Sequence, residues 1–281
     1  MTIKTLSLGG DLTIDRLGFG AMRLATGTFD GPTRAPETGI AVLRRAVELG
    51  VNHIDTAGFY GGGAVRANEQ IRTALTPYPA GLVIATKVGP LPGPNGRPSG
   101  QATPDQLRGL VEADLRALGL DRLDLVYLRV GGMTGPGGES IAERFAELAR
   151  LRAEGLIRHL GVSNVDAAQF AEAREIAPVT AVQNRYADDM GLLAECEAAG
   201  IAYVPYFPLG GGGTPLDTER LGKVAARLNA TTAQVALAAL LAMSPSTLAI
   251  PGTGSLDHLE ENLAAGDLVL SDEDVSELRG R

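Results

Sequence analysis

Three side chains that can hold or transfer a proton lie at or just after two successive strand-like stretches of this chain of 281 residues. Asp55 lies near the end of the apolar run HIDTA, Tyr60 follows in the stretch GFYGGG, and Lys87 lies at the end of a second apolar run, next to last in IATKV. A buried lysine is costly unless it is paired, so we expect Lys87 to contact Asp55. An ammonium group favours the phenolate form of a nearby tyrosine, so we expect Lys87 to lower the pKa of Tyr60 toward neutral pH.

A tyrosine in this setting can donate a proton to a developing alkoxide, which is general acid catalysis. Taken singly, Asp55 and Lys87 are more typical of a structural salt bridge. The three residue types together, at one rim of neighbouring strands, favour a catalytic site.

Strand-like runs alternate with helical patterns along almost the whole sequence. Their near-continuous apolar character is typical of parallel strands buried on both faces. Eight such units predict an α/β fold, a single-domain (β/α)8 TIM barrel over residues 1–281, with an N-terminal β-hairpin across its floor. An open doubly wound sheet is disfavoured, because no G-x-G-x-x-G opens a helix after the first strand. The eight runs begin at Leu17, His53, Leu82, Leu123, Ile157, Ala181, Ala202 and Thr247.

Helix boundaries support this alternation. Thr103 and Gln106 form a capping box, as do Thr231 and Gln234, and apolar residues at helical spacing follow each pair. Gly119 is placed to end the first of these helices. Glycine-rich loops follow the third, fourth and seventh strand-like runs, at the barrel face where active sites are built.

Composition limits the classes of partner. The formal net charge is -8, with 44% hydrophobic and 21% charged residues and no run of like charges. Binding to nucleic acid or to an anionic membrane is therefore not expected. The N-terminus resembles no signal peptide, so a cytoplasmic protein is expected, with a small-molecule partner, no metal site and no predicted oligomeric state. The single cysteine, Cys196, is expected to be a buried helix residue.

Six spans occur in an order that resembles the aldo-keto reductases across nearly the whole chain. This resemblance implies a (β/α)8 barrel, an NADPH cofactor extended across its C-terminal face, and reduction of aldehydes or ketones. By matching position it makes Asp55, Tyr60 and Lys87 three members of that family's catalytic tetrad. The spans are GVNHIDTAGFYG, IATKVG, IRHLGVSN, AVQNRY, VPYFPLGGG and IPGTGSLDHLEENL.

The same resemblance assigns residues to the nicotinamide end of the cofactor. The nicotinamide carboxamide would bind polar side chains that donate and accept hydrogen bonds, an aromatic ring would stack on the nicotinamide, and small residues would flank the pyrophosphate. Taken alone, the asparagine of GVSN could instead cap the next helix, and the tyrosine of VPYF could be an ordinary core aromatic. These residues are, in that order, Ser163, Asn164 and Gln183; Tyr206; Leu209 and Gly210.

The chain departs from the family pattern at the end of the fourth strand. The resemblance places a histidine, the fourth member of the tetrad, at the position of Arg129. Arginine keeps its positive charge and offers several N–H donors but cannot give up a proton. Arg129 shares a strand face with Tyr127 and Leu125, which predicts that it points into the barrel. A rim arginine paired with an acid is the alternative.

A second departure concerns the adenine end of the cofactor. Gly252 and His258 stand where the family often has a lysine and an arginine that hold the 2′-phosphate. Thr253, Ser255 and the start of the final long helix still offer contacts to an anion. The resemblance therefore implies NADPH with a weakened preference, so that NADH is possible. Matching positions give Glu261 and Asn262 as adenine contacts.

Within the family, the motifs are most similar to those of bacterial reductases of the pyridoxal-reducing type, which makes pyridoxal a candidate substrate. Two other classes of protein remain open. One is a Schiff-base aldolase that uses Lys87, although the residues matched to the nicotinamide would then have no task. The other is a non-catalytic protein that binds a nicotinamide cofactor, which the replacement at Arg129 favours.

Overall fold

A computed structural model gives the structure of this chain over most of its length. Its strands are β1 (Thr5–Leu8), β2 (Leu12–Asp15), β3 (Phe19–Gly20), β4 (His53–Asp55), β5 (Val83–Val88), β6 (Pro90–Pro92), β7 (Pro98–Gln101), β8 (Leu123–Arg129), β9 (Ile157–Ser163), β10 (Val179–Gln183) and β11 (Ala202–Tyr203). Its α-helices are α1 (Pro36–Glu48), α2 (Ala67–Leu75), α3 (Pro104–Leu118), α4 (Ala142–Ala153), α5 (Ala167–Ile176), α6 (Gly191–Ala198), α7 (Thr218–Leu228), α8 (Thr232–Ala242), α9 (Leu256–Ala264) and α10 (Asp272–Arg279). The residues described are 4–25, 35–61, 65–93, 98–132, 135–186, 191–207 and 218–279.

Seven strands form one parallel sheet in the order β11-β10-β9-β8-β5-β4-β3. Residues 247–252, the closing segment, complete this sheet as the predicted barrel. Leu248 N donates to Tyr203 O at 2.9 Å on one side, and Gly18 N donates to Ala249 O at 2.8 Å on the other. The eighth run is therefore present, but as isolated bridges rather than a regular strand. Both of its neighbours are only two residues long, and Pro251 has no N–H to donate.

The predicted N-terminal hairpin is formed by β1 and β2, which pair antiparallel. Leu8 and Ile14 are fully buried and pack with the side chains that fill the barrel interior. Asp11, in the turn, holds the hairpin to the barrel floor through His159, whose Nε2 lies 2.6 Å from the Asp11 carboxylate. The hairpin therefore seals the end of the barrel opposite the βα loops.

The helix boundaries agree with the sequence patterns. Gln106 Oε1 accepts a hydrogen bond from Thr103 N at the start of α3, and Gln234 Oε1 accepts one from Thr231 N at the start of α8. Gly119 ends α3 with a left-handed φ of 69°. Cys196 is buried on α6, as expected.

The glycine-rich loop expected after the third strand-like run contains a short antiparallel pair, β6 with β7. Of the helices in the described residues, none is by itself long and apolar enough to cross a membrane, and α7 with α8 reaches that length only as a pair bent by 96°.

Candidate active site

The site is built where the parallel strands end. Asp55, Arg129, Ser163 and Gln183 are the last residues of β4, β8, β9 and β10, and Lys87 is the penultimate residue of β5. Parallel strands of a barrel all point the same way, so these positions surround one opening on the C-terminal face.

Asp55 and Lys87 form the predicted ion pair. Lys87 Nζ donates to Asp55 Oδ1 at 2.5 Å and to Thr56 O at 3.0 Å, and both charged side chains are almost fully buried. Gln183 Nε2 donates to the other carboxylate oxygen of Asp55 at 2.8 Å. Burial alone lowers the pKa of Lys87, but the Asp55 carboxylate and Tyr60 outweigh it, so the pKa of Lys87 is raised. Lys87 is therefore held as a cation.

Tyr60 lies against this cation, with Lys87 Nζ 5.0 Å from the centre of its ring. The expectation that Lys87 lowers the pKa of Tyr60 below its ordinary value is wrong in its net direction. Burial raises the pKa of Tyr60 by more than Lys87 and Arg129 lower it. The phenol is therefore protonated at neutral pH, which is the form that a proton donor requires.

Arg129 lies at the same opening, on the strand face of Leu125 and Tyr127, both of which are fully buried in the barrel interior. Its guanidinium donates to Val130 O and, at 3.1 Å, to Gly132 O. It also lies over the ring of Tyr206, with Arg129 Cζ 5.8 Å from the ring centre. These contacts within the described residues are carbonyls and a ring, not the acid of the alternative interpretation. Its positive charge thus acts at the site.

The residues matched to the nicotinamide lie at the same opening, next to Arg129 and Tyr206. Ser163 Oγ is buried and has no hydrogen-bond partner among the described residues, as expected of an atom that serves a ligand. Asn164 Oδ1 accepts from Tyr206 Oη at 3.1 Å, and Asn164 Nδ2 donates to Val130 O at 2.8 Å. Asn164 does not cap α5, because Asp166 does. The donor set fits a carboxamide beside an aromatic ring. Leu209 and Gly210 lie outside the described residues.

The residues matched to the adenine end lie together in the segment that leads into α9. A Cβ on Gly252 would lie 2.4 Å from Gly20 O, so the packing of the closing segment leaves no room there for a lysine. Thr253 Oγ1 accepts from Ser255 N at 3.1 Å, and Ser255 Oγ accepts from His258 N at 3.5 Å. His258 is exposed. Among the described residues matched to this end of the cofactor, a histidine and the start of α9 are what remains to attract a phosphate.

Glu261 and Asn262 follow on α9. Asn262 is buried, whereas Glu261 is half-exposed and accepts a hydrogen bond from Thr231 Oγ1 at 2.6 Å. If the Glu261 carboxylate binds adenine through this oxygen, it must either accept from adenine and Thr231 together or give up its hydrogen bond with Thr231.

Sequence reasoning missed a buried polar cluster directly behind Lys87. It centres on Asp114 of α3, which binds Thr86 and Asn68. A signal was available, because Asp114 follows Leu107 and Val111 on the apolar face of its helix, where a carboxylate is almost never found unless it is paired.

Comparison with known proteins agrees with this geometry. The aldo/keto reductase family model matches residues 16–280. The chain is 47% identical to pyridoxine 4-dehydrogenase of Escherichia coli over 100% of this chain and 99% of that protein. A thermostable aldo-keto reductase, solved with the inhibitor epalrestat, superposes with a TM-score of 0.82 at 31% identity, covering 99% of both chains. An aldo-keto reductase from Klebsiella pneumoniae, solved with NADPH, superposes with a TM-score of 0.79 at 26% identity, covering 100% of this chain and 95% of that one. The chain belongs to the aldo/keto reductase family.

Proposed function

We propose that this chain reduces the carbonyl of an aromatic aldehyde of the pyridoxal type, taking hydride from NADPH and a proton from Tyr60. The observation that carries the proposal is the arrangement of Tyr60, Lys87 and Asp55 at one end of the barrel, where the described residues also leave the buried Ser163 hydroxyl without a hydrogen-bond partner. Similarity to pyridoxine 4-dehydrogenase supports the substrate class, and similarity to an enzyme solved with NADPH supports the cofactor.

The residues of the site divide the work. Ser163, Asn164 and Gln183 would hold the carboxamide, Tyr206 would support the ring, and bound NADPH supplies the hydride. Tyr60 holds the proton that the substrate oxygen takes up as negative charge develops there. Lys87 stabilises the phenolate left behind, and Asp55 keeps Lys87 charged and in place.

Arg129 gives the proposed substrate class a physical basis. Pyridoxal carries a phenolic oxygen next to its aldehyde, and a guanidinium binds such an oxygen well once it is ionised. Arg129 faces the opening beside Tyr206, and its charge acts on Tyr60. Arg129 can therefore bind the phenolate oxygen of the substrate while Tyr60 donates its proton to the oxygen of the neighbouring carbonyl.

The structure argues against the aldolase alternative. A Schiff base requires a neutral amine, and such lysines are kept in apolar surroundings or beside another cation. Lys87 instead forms a buried ion pair, and its pKa is raised. Borohydride treatment with substrate should therefore leave Lys87 unmodified.

The first test is Tyr60→Phe, which removes only the phenolic hydroxyl. We expect kcat for NADPH-dependent reduction of pyridoxal to fall by about 10²- to 10⁴-fold, the usual contribution of general acid catalysis. NADPH affinity, measured by fluorescence titration, should change little. Tyr78→Phe is the matched control. Tyr78 Oη donates a hydrogen bond of 2.6 Å to Leu118 O, and this contact lies away from the strand ends that form the site. The kcat of this variant should therefore stay near that of the wild type.

Two outcomes would contradict the proposal. Normal kcat in Tyr60→Phe would remove Tyr60 from its role. A wild-type protein that binds NADPH but oxidises it with no aldehyde, including pyridoxal and pyridine-4-carboxaldehyde, would instead identify the non-catalytic alternative. The second aldehyde lacks the phenolic oxygen of pyridoxal together with its methyl and hydroxymethyl groups, so a preference for pyridoxal measures what these three groups contribute.

A further inference from the structure

Asp114 sits on the inner face of α3 and is buried against the outside of the barrel. Its Oδ2 accepts a hydrogen bond from Thr86 Oγ1 at 2.6 Å, and its Oδ1 accepts one from Asn68 Nδ2 at 3.0 Å. Asn68 Oδ1 in turn accepts from Thr56 Oγ1 at 2.7 Å. One carboxyl group thus joins three elements, namely β5, α2 and the loop after β4.

Each arm of this cluster leads to a catalytic group. Thr86 directly precedes Lys87 on β5, and the carbonyl of Thr56 accepts a hydrogen bond from Lys87 Nζ at 3.0 Å. The loop that carries Tyr60 also packs on the carboxyl, since a Cβ on Gly58 would lie 2.3 Å from Asp114 Oδ1.

A small cavity of about 90 Å³ adjoins both the cluster and the reacting groups. Tyr60, Lys87, Asn68 and Asp114 all line it. Among the described residues that line this cavity, the charged or titratable groups besides Asp114 are Lys87 from β5, Tyr60 from the loop, and the exposed Arg66 just before α2.

Burial raises the pKa of Asp114 to about 7, against the opposing effects of Thr86, Lys87 and Asn68. The group therefore changes charge near neutral pH. When it is protonated, the Thr86 hydroxyl can rotate to accept the carboxyl proton, so the cluster stays bonded in both states.

We propose that Asp114 is a positioning residue whose charge state sets the rate of carbonyl reduction. The neutral carboxyl fixes Thr86 and the loop of Tyr60 without opposing the Lys87 ammonium. The carboxylate places a negative charge behind Lys87, which offsets the positive potential that stabilises the Tyr60 phenolate as its proton leaves. This inference rests on the proposed role of Tyr60 as proton donor.

The test is the rate of hydride transfer in a single turnover, followed by nicotinamide absorbance at saturating NADPH and pyridoxal, from about pH 5.5 to about pH 9. In the wild type the rate should fall on the order of tenfold as pH rises through neutrality, the effect of one unit charge across a shielded interior. Asp114→Asn keeps the shape of the side chain without the charge, so its rate should stay flat and exceed the wild-type rate at alkaline pH.

Asp124→Asn is the matched control. Asp124 is a partly buried aspartate whose pKa, like that of Asp114, is raised by burial, but its carboxylate accepts a hydrogen bond from Ile84 N near the start of β5, away from Lys87. This variant should keep the wild-type pH profile.

Thr86→Val provides a second test that leaves Asp114 in place. It removes a hydrogen bond that favours the carboxylate, so the fall in rate should move to higher pH. A purely structural role would predict a uniform loss of rate at every pH. A folded Asp114→Asn protein with the wild-type profile would overturn the proposal, as would an unmoved midpoint in Thr86→Val. Failure of the proposed function is distinct, since Tyr60→Phe would then remain active.

Discussion

At the scale of single residues, the site depends on two cations with different surroundings. Lys87 is bound by a carboxylate and a carbonyl and lies against Tyr60. Arg129, at the position that the resemblance gives to a histidine, is bound by two backbone carbonyls and stacks on Tyr206. In the proposed function its charge and remaining donors would act on the substrate oxygen, where a preorganised donor stabilises the negative charge that develops.

Arg129→Met removes this charge and keeps much of the bulk. We expect kcat/KM for pyridoxal to fall by about 10- to 10³-fold, as when one preorganised donor is lost, with little change in NADPH affinity. The loss should be smaller for pyridine-4-carboxaldehyde, which has no phenolic oxygen. Arg152→Met is a suitable control, because Arg152 also donates to a backbone carbonyl, that of Arg158. This contact lies near the start of β9, at the opposite end of that strand from Ser163 and the site. Equal losses for both aldehydes would exclude the phenolate contact.

His53, inside the barrel below Asp55, gives a prediction about stability. It is fully buried, neither ring nitrogen has a hydrogen-bond partner among the described residues, and burial lowers the pKa of His53 to about 4. Between its unfolded pKa of about 6.5 and its folded pKa, only the unfolded state takes up a proton, so stability is lost as pH falls through this window. The loss is about 3 kcal/mol.

His53→Leu should remove that part of the acid sensitivity. The measurement is the free energy of unfolding in urea at several pH values across the window. If the free energy of unfolding of the variant falls with pH as steeply as that of the wild type, His53 is not the source of the acid sensitivity.

At the scale of elements, the barrel depends on how its two ends are completed. The closing segment bonds to β11 and to the stretch before β3, and Gly20 allows the close approach, since a Cβ there would lie 2.6 Å from Ile250 O. The β1–β2 hairpin fills the floor through Leu8 and Ile14.

The hairpin turn offers a clean comparison of two glycines. Gly9 and Gly10 have φ values of 63° and 84°, but only at Gly9 would a Cβ collide with a neighbour, the His159 ring at 2.2 Å. Gly10→Ala should therefore cost about 1 kcal/mol of stability from backbone strain, and Gly9→Ala about 1–3 kcal/mol more from overpacking. Urea denaturation measures both, and equal values would show that the hairpin does not press on the barrel floor.

At the scale of the whole molecule, cofactor binding should stabilise the fold, because its proposed contacts come from strand ends around the barrel. At a free concentration of about 100 times Kd, NADPH should add about 2.7 kcal/mol, visible as a rise in Tm. At equal concentrations NADH should raise Tm less, since His258 and the start of α9 favour a phosphate. A larger rise with NADH would reverse the proposed preference. His258→Arg should widen the gap between the two cofactors.

The sequence by itself determined the alternation of strands and helices and therefore the barrel, because period and capping are local properties of a segment. It also predicted the Asp55–Lys87 pair, since a lysine at the end of a buried strand needs a partner. Only the tertiary structure decided that the pKa of Tyr60 is raised rather than lowered, because burial depends on every segment that surrounds the phenol. It also decided the Asp114 cluster, whose partners Thr86 and Asn68 lie 28 and 46 residues away along the chain. Spacing within one helix marks Asp114 as inward-facing, but only the folded barrel brings Lys87, Tyr60 and Asp114 to the walls of one cavity.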